Sequence, residues 1–259
     1  MFVRAVAAAL LAVVCFPAAA EIVTLKTRGE VTQSFALVAP EKPVAAAILF
    51  PGGGGVTPLD KLVPGQFINR GNFLVRVRYD LARAGLAVAI VDAPSDRQGE
   101  RGMKGGFRGS AEHAEDIAAV VEHLRARFRL PVWLVGTSAG TESAAFLATR
   151  LGERVAGVVL TSSISQRYKM GFSVLELPLA TVRVPALIVA HKDDGCWATP
   201  AHQAEAIARA FGASSRKEVL IVEGGDPPRS EPCEALSQHG FLGIEKRVVD
   251  AIAAFIKGG

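Results

Sequence analysis

The sequence predicts a three-layer α/β fold, a mostly parallel sheet with helices on both faces. Three observations carry this. Short apolar runs alternate with helix-length stretches along the chain, as in a parallel sheet with crossover helices. The runs show little polar alternation, as strands buried on both faces do. One run, Val132 to Gly140, ends in Gly136-Thr137-Ser138-Ala139-Gly140 and leads straight into a helical segment. That order is strand, sharp turn, helix, and it lifts a serine hydroxyl above the end of a sheet.

Met1 to Ala20 stands apart. It carries one charge, Arg4, then the apolar run Ala5 to Phe16, then Pro17-Ala18-Ala19-Ala20. That pattern is a secretory signal with an A-x-A cleavage site before Glu21. The run is short for a bilayer span, and Val14 before Cys15 is unlike a lipoprotein signal, so no stable membrane anchor is expected. The mature domain is then 21–259, in the periplasm or outside the cell.

Glu21 to Pro40 reads as two strands around an Arg28-Gly29-Glu30 turn. Ala45 to Phe50 is an apolar strand that runs into Pro51-Gly52-Gly53-Gly54-Gly55. A helix is predicted over Asn72 to Ala84, with Gly85 as its stop, and a buried strand over Ala87 to Val91. Asp92 to Gly109 reads as a polar, Gly-rich surface excursion. Ser110 to Phe128 is a helix capped by Ser110, with Ile117, Val120, Val121, Leu124 and Phe128 at helical spacing. The remaining predicted strands are Val132 to Val135, Val155 to Leu160, Ala186 to Ala190 and Glu218 to Val222. The remaining predicted helices are Ser138 to Leu151, Pro200 to Phe211 and Gly243 to Lys257. No repeat or linker divides them, so one domain is expected.

Composition narrows the function. Half of the residues are apolar and 21% are charged, which suits a well-buried core. Loss of the signal lowers the formal charge of +4 by one. The charges are interspersed without a basic run, so nucleic acid is not an expected partner. Of three cysteines, Cys196 and Cys233 remain after cleavage, and an even pair in an exported chain reads as a disulfide.

Ser138 needs a base, an acid and an oxyanion hole. Among five histidines, His113 and His123 read as exposed or half-buried helix residues, and His202 opens another helix. His191 closes a strand just before the acids. His239, in Ser237-Gln238-His239-Gly240-Phe241, precedes the last helix, where the order Ser, acid, His requires a base. The acid follows a strand between Ser138 and His239. Leu187 to Ala190 runs into His191-Lys192-Asp193-Asp194, which leaves Asp193 and Asp194 as candidates and Asp226 as a third. The preceding strand ends Leu160-Thr161-Ser162-Ser163, without an acid. The hole needs two backbone N–H groups. Ala139, after the nucleophile, supplies one, and the glycine turn supplies the other from Gly53 or Gly54. Scattered histidines and two cysteines give no zinc-like spacing, so no metal or organic cofactor is expected.

With those residues in hand, the mature chain resembles the α/β-hydrolase superfamily, in particular small lidless esterases and dienelactone-hydrolase-like proteins. The resemblance rests on Leu49-Phe50-Pro51-Gly52-Gly53, Gly136 to Gly140, His191 to Asp194 and His239-Gly240-Phe241-Leu242-Gly243. Aligned on the family's acid motif, Ala190 takes the place of a histidine and Asp194 that of the acid. The chain departs from the family in having Pro51 where a histidine is common. It also has Ser138 where dienelactone hydrolases use cysteine, so their lactone substrate does not carry over. The resemblance implies a Ser138–His239–Asp194 triad that cleaves esters through an acyl-enzyme. Ser162 to Val184, where a lid is usually inserted, is too short for a sizeable cap domain, so a shallow cleft for small soluble esters is expected. Peptide or thioester cleavage on the same triad is the alternative, and a non-catalytic binder on the same scaffold is a further one.

Overall fold

A computed structural model describes residues 20–59 and 71–258; the segment 1–20, expected to be a secretory signal, falls almost wholly outside them. Among these residues eight strands form one sheet: β1 (Glu21–Lys26), β2 (Thr32–Val38), β3 (Ala45–Phe50), β4 (Leu86–Val91), β5 (Val132–Ser138), β6 (Gly157–Ser163), β7 (Ala186–His191) and β8 (Lys217–Val222). Their spatial order is β1-β2-β4-β3-β5-β6-β7-β8. β2 is antiparallel to both neighbours, and every pairing from β4 to β8 is parallel.

The strand sequences explain their places. β3, β4 and β7 are buried at every position, which only a strand covered on both faces can be. The edge strands β1 and β8 expose half or more of their residues and carry Glu21, Lys26, Lys217 and Glu218, charges that discourage edge-to-edge pairing.

Among the described residues six α-helices cover the sheet: α1 (Phe73–Arg76), α2 (Arg78–Arg83), α3 (Ala111–Phe128), α4 (Gly140–Leu151), α5 (Ala204–Ala210) and α6 (Glu245–Lys257). Alternate strand residues face opposite sides. Ile48, Leu134, Leu160 and Ile188 pack on Ile117, Val120 and Leu124 of α3, Ala144 and Leu147 of α4 and Ile207 of α5. Leu49, Val135, Val159 and Val189 pack on Leu81 of α2 and on Val248, Ile252 and Phe255 of α6. Burying one such aliphatic side chain contributes about 1.5–3 kcal/mol, so these two layers hold the sheet on which the site is mounted.

The predicted elements all appear, with adjusted bounds. The helix expected over Asn72 to Ala84 is divided at Val77, whose ψ of 6° leaves the helical range. The run Pro200 to Phe211 starts as a 3-10 turn before α5. Two expectations fail. The run Asp92 to Gly109 is not a surface excursion throughout: Ala93, Met103, Phe107 and Arg108 are buried, because the segment folds back beneath the glycine turn after β3 and Met103 N–H donates to Gly54 O at 2.8 Å. His113 is neither exposed nor half-buried but 1% exposed, set against the rings of Phe50 and Phe107.

Between β6 and β7 lie only two 3-10 turns, Val174–Glu176 and Leu179–Thr181. No sizeable cap domain rises there.

Candidate active site

Ser138 ends β5 with φ at +51°, a left-handed conformation that costs a non-glycine residue about 1–2 kcal/mol. The two glycines around it make the turn possible. A Cβ on Gly136 would strike Gly140 O, and one on Gly140 would strike Phe50 O. The strand, the helix and the neighbouring β3 therefore approach too closely for any side chain at either position. Thr141 Oγ1 donates to Ser138 O at 2.6 Å and accepts from Ile164 N at 3.1 Å, which ties the turn to the segment after β6. Ala139 N lies at the start of α4, where helix N–H groups lack partners inside the helix.

The glycine turn after β3 faces this serine. A Cβ on Gly52 would come within 2.9 Å of Ser138 Cβ. Gly53 and Gly55 both have positive φ, and Gly55 N donates to Gly52 O at 3.3 Å. Among the described residues, the N–H groups of Gly53 and Gly54 donate to no other residue.

Acid and base candidates meet from two loops. His239 Nδ1 is 3.0 Å from Asp194 Oδ2, and the two side chains are 4% and 1% exposed. A carboxylate only accepts, so the contact puts the proton on Nδ1 and leaves Nε2 unprotonated in the neutral ring. Cys196 N donates to Asp194 Oδ1 at 2.9 Å. Thr199 Oγ1 donates to Asp194 Oδ2 at 2.9 Å and lies 3.1 Å from His239 Nδ1. Asp193, the other candidate after β7, is exposed, and its N–H donates to His191 Nδ1. His191 in turn donates from Nε2 to Gly224 O at 2.9 Å. Asp226 is exposed and pairs with Arg229. Thus Asp194, and neither Asp193 nor Asp226, is brought to His239, while His191 braces the loop behind it.

Several partners were invisible in the sequence. Ser162, one residue before the end of β6, has φ at +44° and donates to His239 O at 2.8 Å. Arg76 reaches from α1 to Ala235 O at 2.8 Å, to Gly240 O at 2.6 Å and to Glu245. A disulfide joins Cys196 to Cys233, with Cα atoms 4.4 Å apart. It links the loop of Asp194 to the loop of His239. Ser138, His239, Gly53, Gly54 and Cys233 all line one cleft of about 590 Å³ at the C-terminal ends of the parallel strands, where ligands bind in open α/β sheets.

Beneath the serine turn lies a second polar group. Glu142 of α4 is 1% exposed. Burial pushes its carboxyl up to about 7, against the opposing pull of Arg108 and of hydrogen bonds from Tyr168 and Phe172. Burial and the nearby Arg108 push His113 down to about 3. It is therefore a neutral core residue at physiological pH.

A strand-turn-helix serine on a parallel sheet of this order defines an α/β-hydrolase. The family model of serine aminopeptidase, S33, matches residues 66–219, more than half of the chain. The chain belongs to this α/β-hydrolase family. The match includes Ser138 and Asp194 and stops short of His239. No curated protein matches the sequence. Among solved structures, an esterase from Pyrococcus furiosus is 13% identical with a TM-score of 0.63, over 92% of this chain and 91% of that one. The dienelactone hydrolase of Anabaena variabilis is 19% identical with a TM-score of 0.60, over 92% and 95%. A cold-adapted esterase from an Arctic intertidal metagenomic library is 15% identical with a TM-score of 0.60, over 92% and 94%. At such identities the likeness is one of fold.

Proposed function

We propose that the protein is an exported serine hydrolase of small carboxylic esters, with Ser138, His239 and Asp194 as its triad. The observation that carries this reading is the Asp194–His239 hydrogen bond of 3.0 Å, opening on the same cleft as the strained Ser138. His239 Nε2 takes the proton of Ser138 Oγ as the oxygen attacks the ester carbonyl. Asp194 keeps the imidazole in the tautomer this requires and stabilises its cation. The alcohol departs with that proton, and water then releases the acyl group by the same route. The N–H groups of Ala139 and of Gly53 or Gly54 receive the oxyanion, each such donor contributing roughly 3 kcal/mol.

Esters are favoured over peptides by the absence of a sizeable cap between β6 and β7 and by the esterases among the proteins of like fold. The aminopeptidase description of the family supports a second reading, peptide cleavage on the same triad. Export is supported by the signal pattern before Glu21 and by the Cys196–Cys233 bond, since such bonds persist in oxidising compartments.

A fluorophosphonate probe should label the wild-type protein and leave Ser138→Ala unlabelled. Equal labelling of the two would sink the triad. A panel of short p-nitrophenyl esters, thioesters and aminoacyl p-nitroanilides then separates the readings, with the short esters expected to react fastest. Edman sequencing of the exported protein should begin at Glu21.

A further inference from the structure

Arg108 is 3% exposed and lies behind the glycine turn. From Nη2 it donates to Pro51 O at 3.0 Å and to Gly53 O at 3.3 Å, and from Nη1 to Ser143 Oγ at 2.9 Å. Glu142 is the carboxylate whose charge it feels, but among the described residues no carboxylate lies within ion-pair distance of it. A buried guanidinium without a paired carboxylate is costly, and a core built only for stability would use an apolar side chain there.

The three contacts have a common geometrical effect. Each peptide unit is planar and trans, so its N–H points away from its C=O. Arg108 holds the carbonyl before Gly52 and the carbonyl after Gly53, the two peptide planes that flank the Gly53 N–H. The peptide between them is held by Gly55 N donating to Gly52 O. Ser143 lies on α4, the helix that starts beside Ala139. One guanidinium thus connects the turn that carries Gly53 to the helix that carries Ala139. The fit is tight, because a Cβ on Gly55 would come within 2.7 Å of Arg108 Nη2.

We infer that Arg108 is the positioning residue of the oxyanion hole, holding the Gly53 and Ala139 N–H groups at a fixed separation and placing a buried positive charge behind them. The inference rests on the serine-hydrolase reading above. Preorganised donors act because they need not reorient as charge develops, so the loss of Arg108 is felt in the transition state more than in substrate binding.

The test is kinetic, on the full mature protein with p-nitrophenyl acetate, beside binding of phenylboronic acid, whose serine adduct places an oxygen in the hole. Arg108→Met should lower kcat by about 100-fold with KM changed by less than threefold, and weaken the boronate in proportion. Arg108→Lys, which keeps the charge and part of the donation, should recover about tenfold of that loss. A folded Arg108→Met with wild-type kcat overturns the inference. So does a fall in kcat with undiminished boronate affinity. Where Arg108→Met fails to fold, Arg108→Lys decides: wild-type kcat and wild-type boronate affinity in that variant also overturn it. Failure of the wild type itself to hydrolyse the ester or take the fluorophosphonate label is a different outcome, and it removes the serine-hydrolase reading together with this one.

Discussion

The two halves of the site are held in place by different means. The serine half, Gly136 to Gly140 with the glycine turn after β3, is fixed by close backbone approach: no side chain fits at Gly136 or Gly140. The acid–base half uses that device less: a Cβ on Gly240, next to His239, would strike Ala235 O, but neither Asp194 nor His239 sits on a strand–helix junction. Asp194 and His239 stand 45 residues apart in the chain, one on an irregular loop and the other in the 3-10 turn Gln238–Gly240. Cross-links gather them: the disulfide, Arg76 on Ala235 O and Gly240 O, Ser162 on His239 O, and His191 behind Asp193. A strand–helix junction carries its own geometry, whereas a pair of loops must borrow its geometry from elsewhere in the molecule. Substitutions on the acid–base side should therefore impair catalysis while the serine turn stays intact, and their sizes rank the cross-links.

The largest effect is expected from Asp194→Asn. The amide can donate to Nδ1, which favours the wrong imidazole tautomer and leaves the cation without its counter-charge. Ester kcat should fall by roughly 10⁴-fold while the protein stays folded. Retention of a tenth of the wild-type kcat would show that the acid lies elsewhere, with Asp193→Asn as the companion measurement. The disulfide comes next. It closes a loop with a sequence separation of 37, and loop-closure entropy alone gives about 4 kcal/mol. Replacing Cys196 and Cys233 together with serine should lower the midpoint of urea unfolding by a corresponding amount and reduce kcat, with no change in how the serine turn is built. An unchanged midpoint and full activity would remove the disulfide from the list of cross-links.

The same contrast explains what the sequence disclosed. The serine turn and the alternation of strands and helices are legible because they are written in contiguous residues or in simple periodicity, and the Cys196–Cys233 pairing because two cysteines follow residue 20. The candidates for the acid narrow to the adjacent Asp193 and Asp194, with Asp226 as a third. Arg108, Ser162, Thr199 and Arg76 could not be found this way. Arg108, Ser162 and Arg76 act on atoms dozens of residues distant, and Thr199, five residues from Asp194, also approaches His239 across 40 residues; none of these contacts leaves a local pattern. Arg108 lies in a polar, Gly-rich run that reads as surface, and His113 on a helix reads as partly exposed. Both are buried because that run folds under the glycine turn, a long-range fact that composition argues against.

Glu142 probes the serine half by pH. Its carboxyl has a reference value of 4.5 and stands near 7 in the folded protein. For an acid raised on folding, the stabilising contribution is complete below about 4.5 and is lost as pH rises to about 7. The groups around it are Arg108, Tyr168 and Glu176. Glu142→Gln cannot ionise, so its stability relative to wild type should rise across that window, by up to about 3 kcal/mol. His113, pushed down to about 3, acts in the opposite sense, destabilising wild type and variant alike as pH falls from 6.5. The variant-minus-wild-type difference in unfolding free energy cancels that term. A difference that stays flat from pH 4.5 to 8 would mean that Glu142 titrates normally.

The smallest effect separates strain from cross-linking at Ser162. Two opposed terms meet there: the positive φ of 44°, which costs a side-chain-bearing residue about 1–2 kcal/mol, and the hydrogen bond to His239 O, which contributes about 1 kcal/mol. Ser162→Ala removes the bond and keeps the strain, so it should be less stable than wild type. Ser162→Gly removes both, so it should be more stable than Ser162→Ala by about 1 kcal/mol, less whatever entropy the glycine adds to the unfolded chain. Activity should follow the other term. If the hydroxyl matters as the tether of the base loop, both variants lose kcat to a similar degree, several-fold, whatever their stabilities. If kcat instead tracks stability, with the glycine variant near wild type, then the loop of His239 is held by Arg76 and the disulfide alone, and Ser162 adopts its conformation only because β6 must turn there.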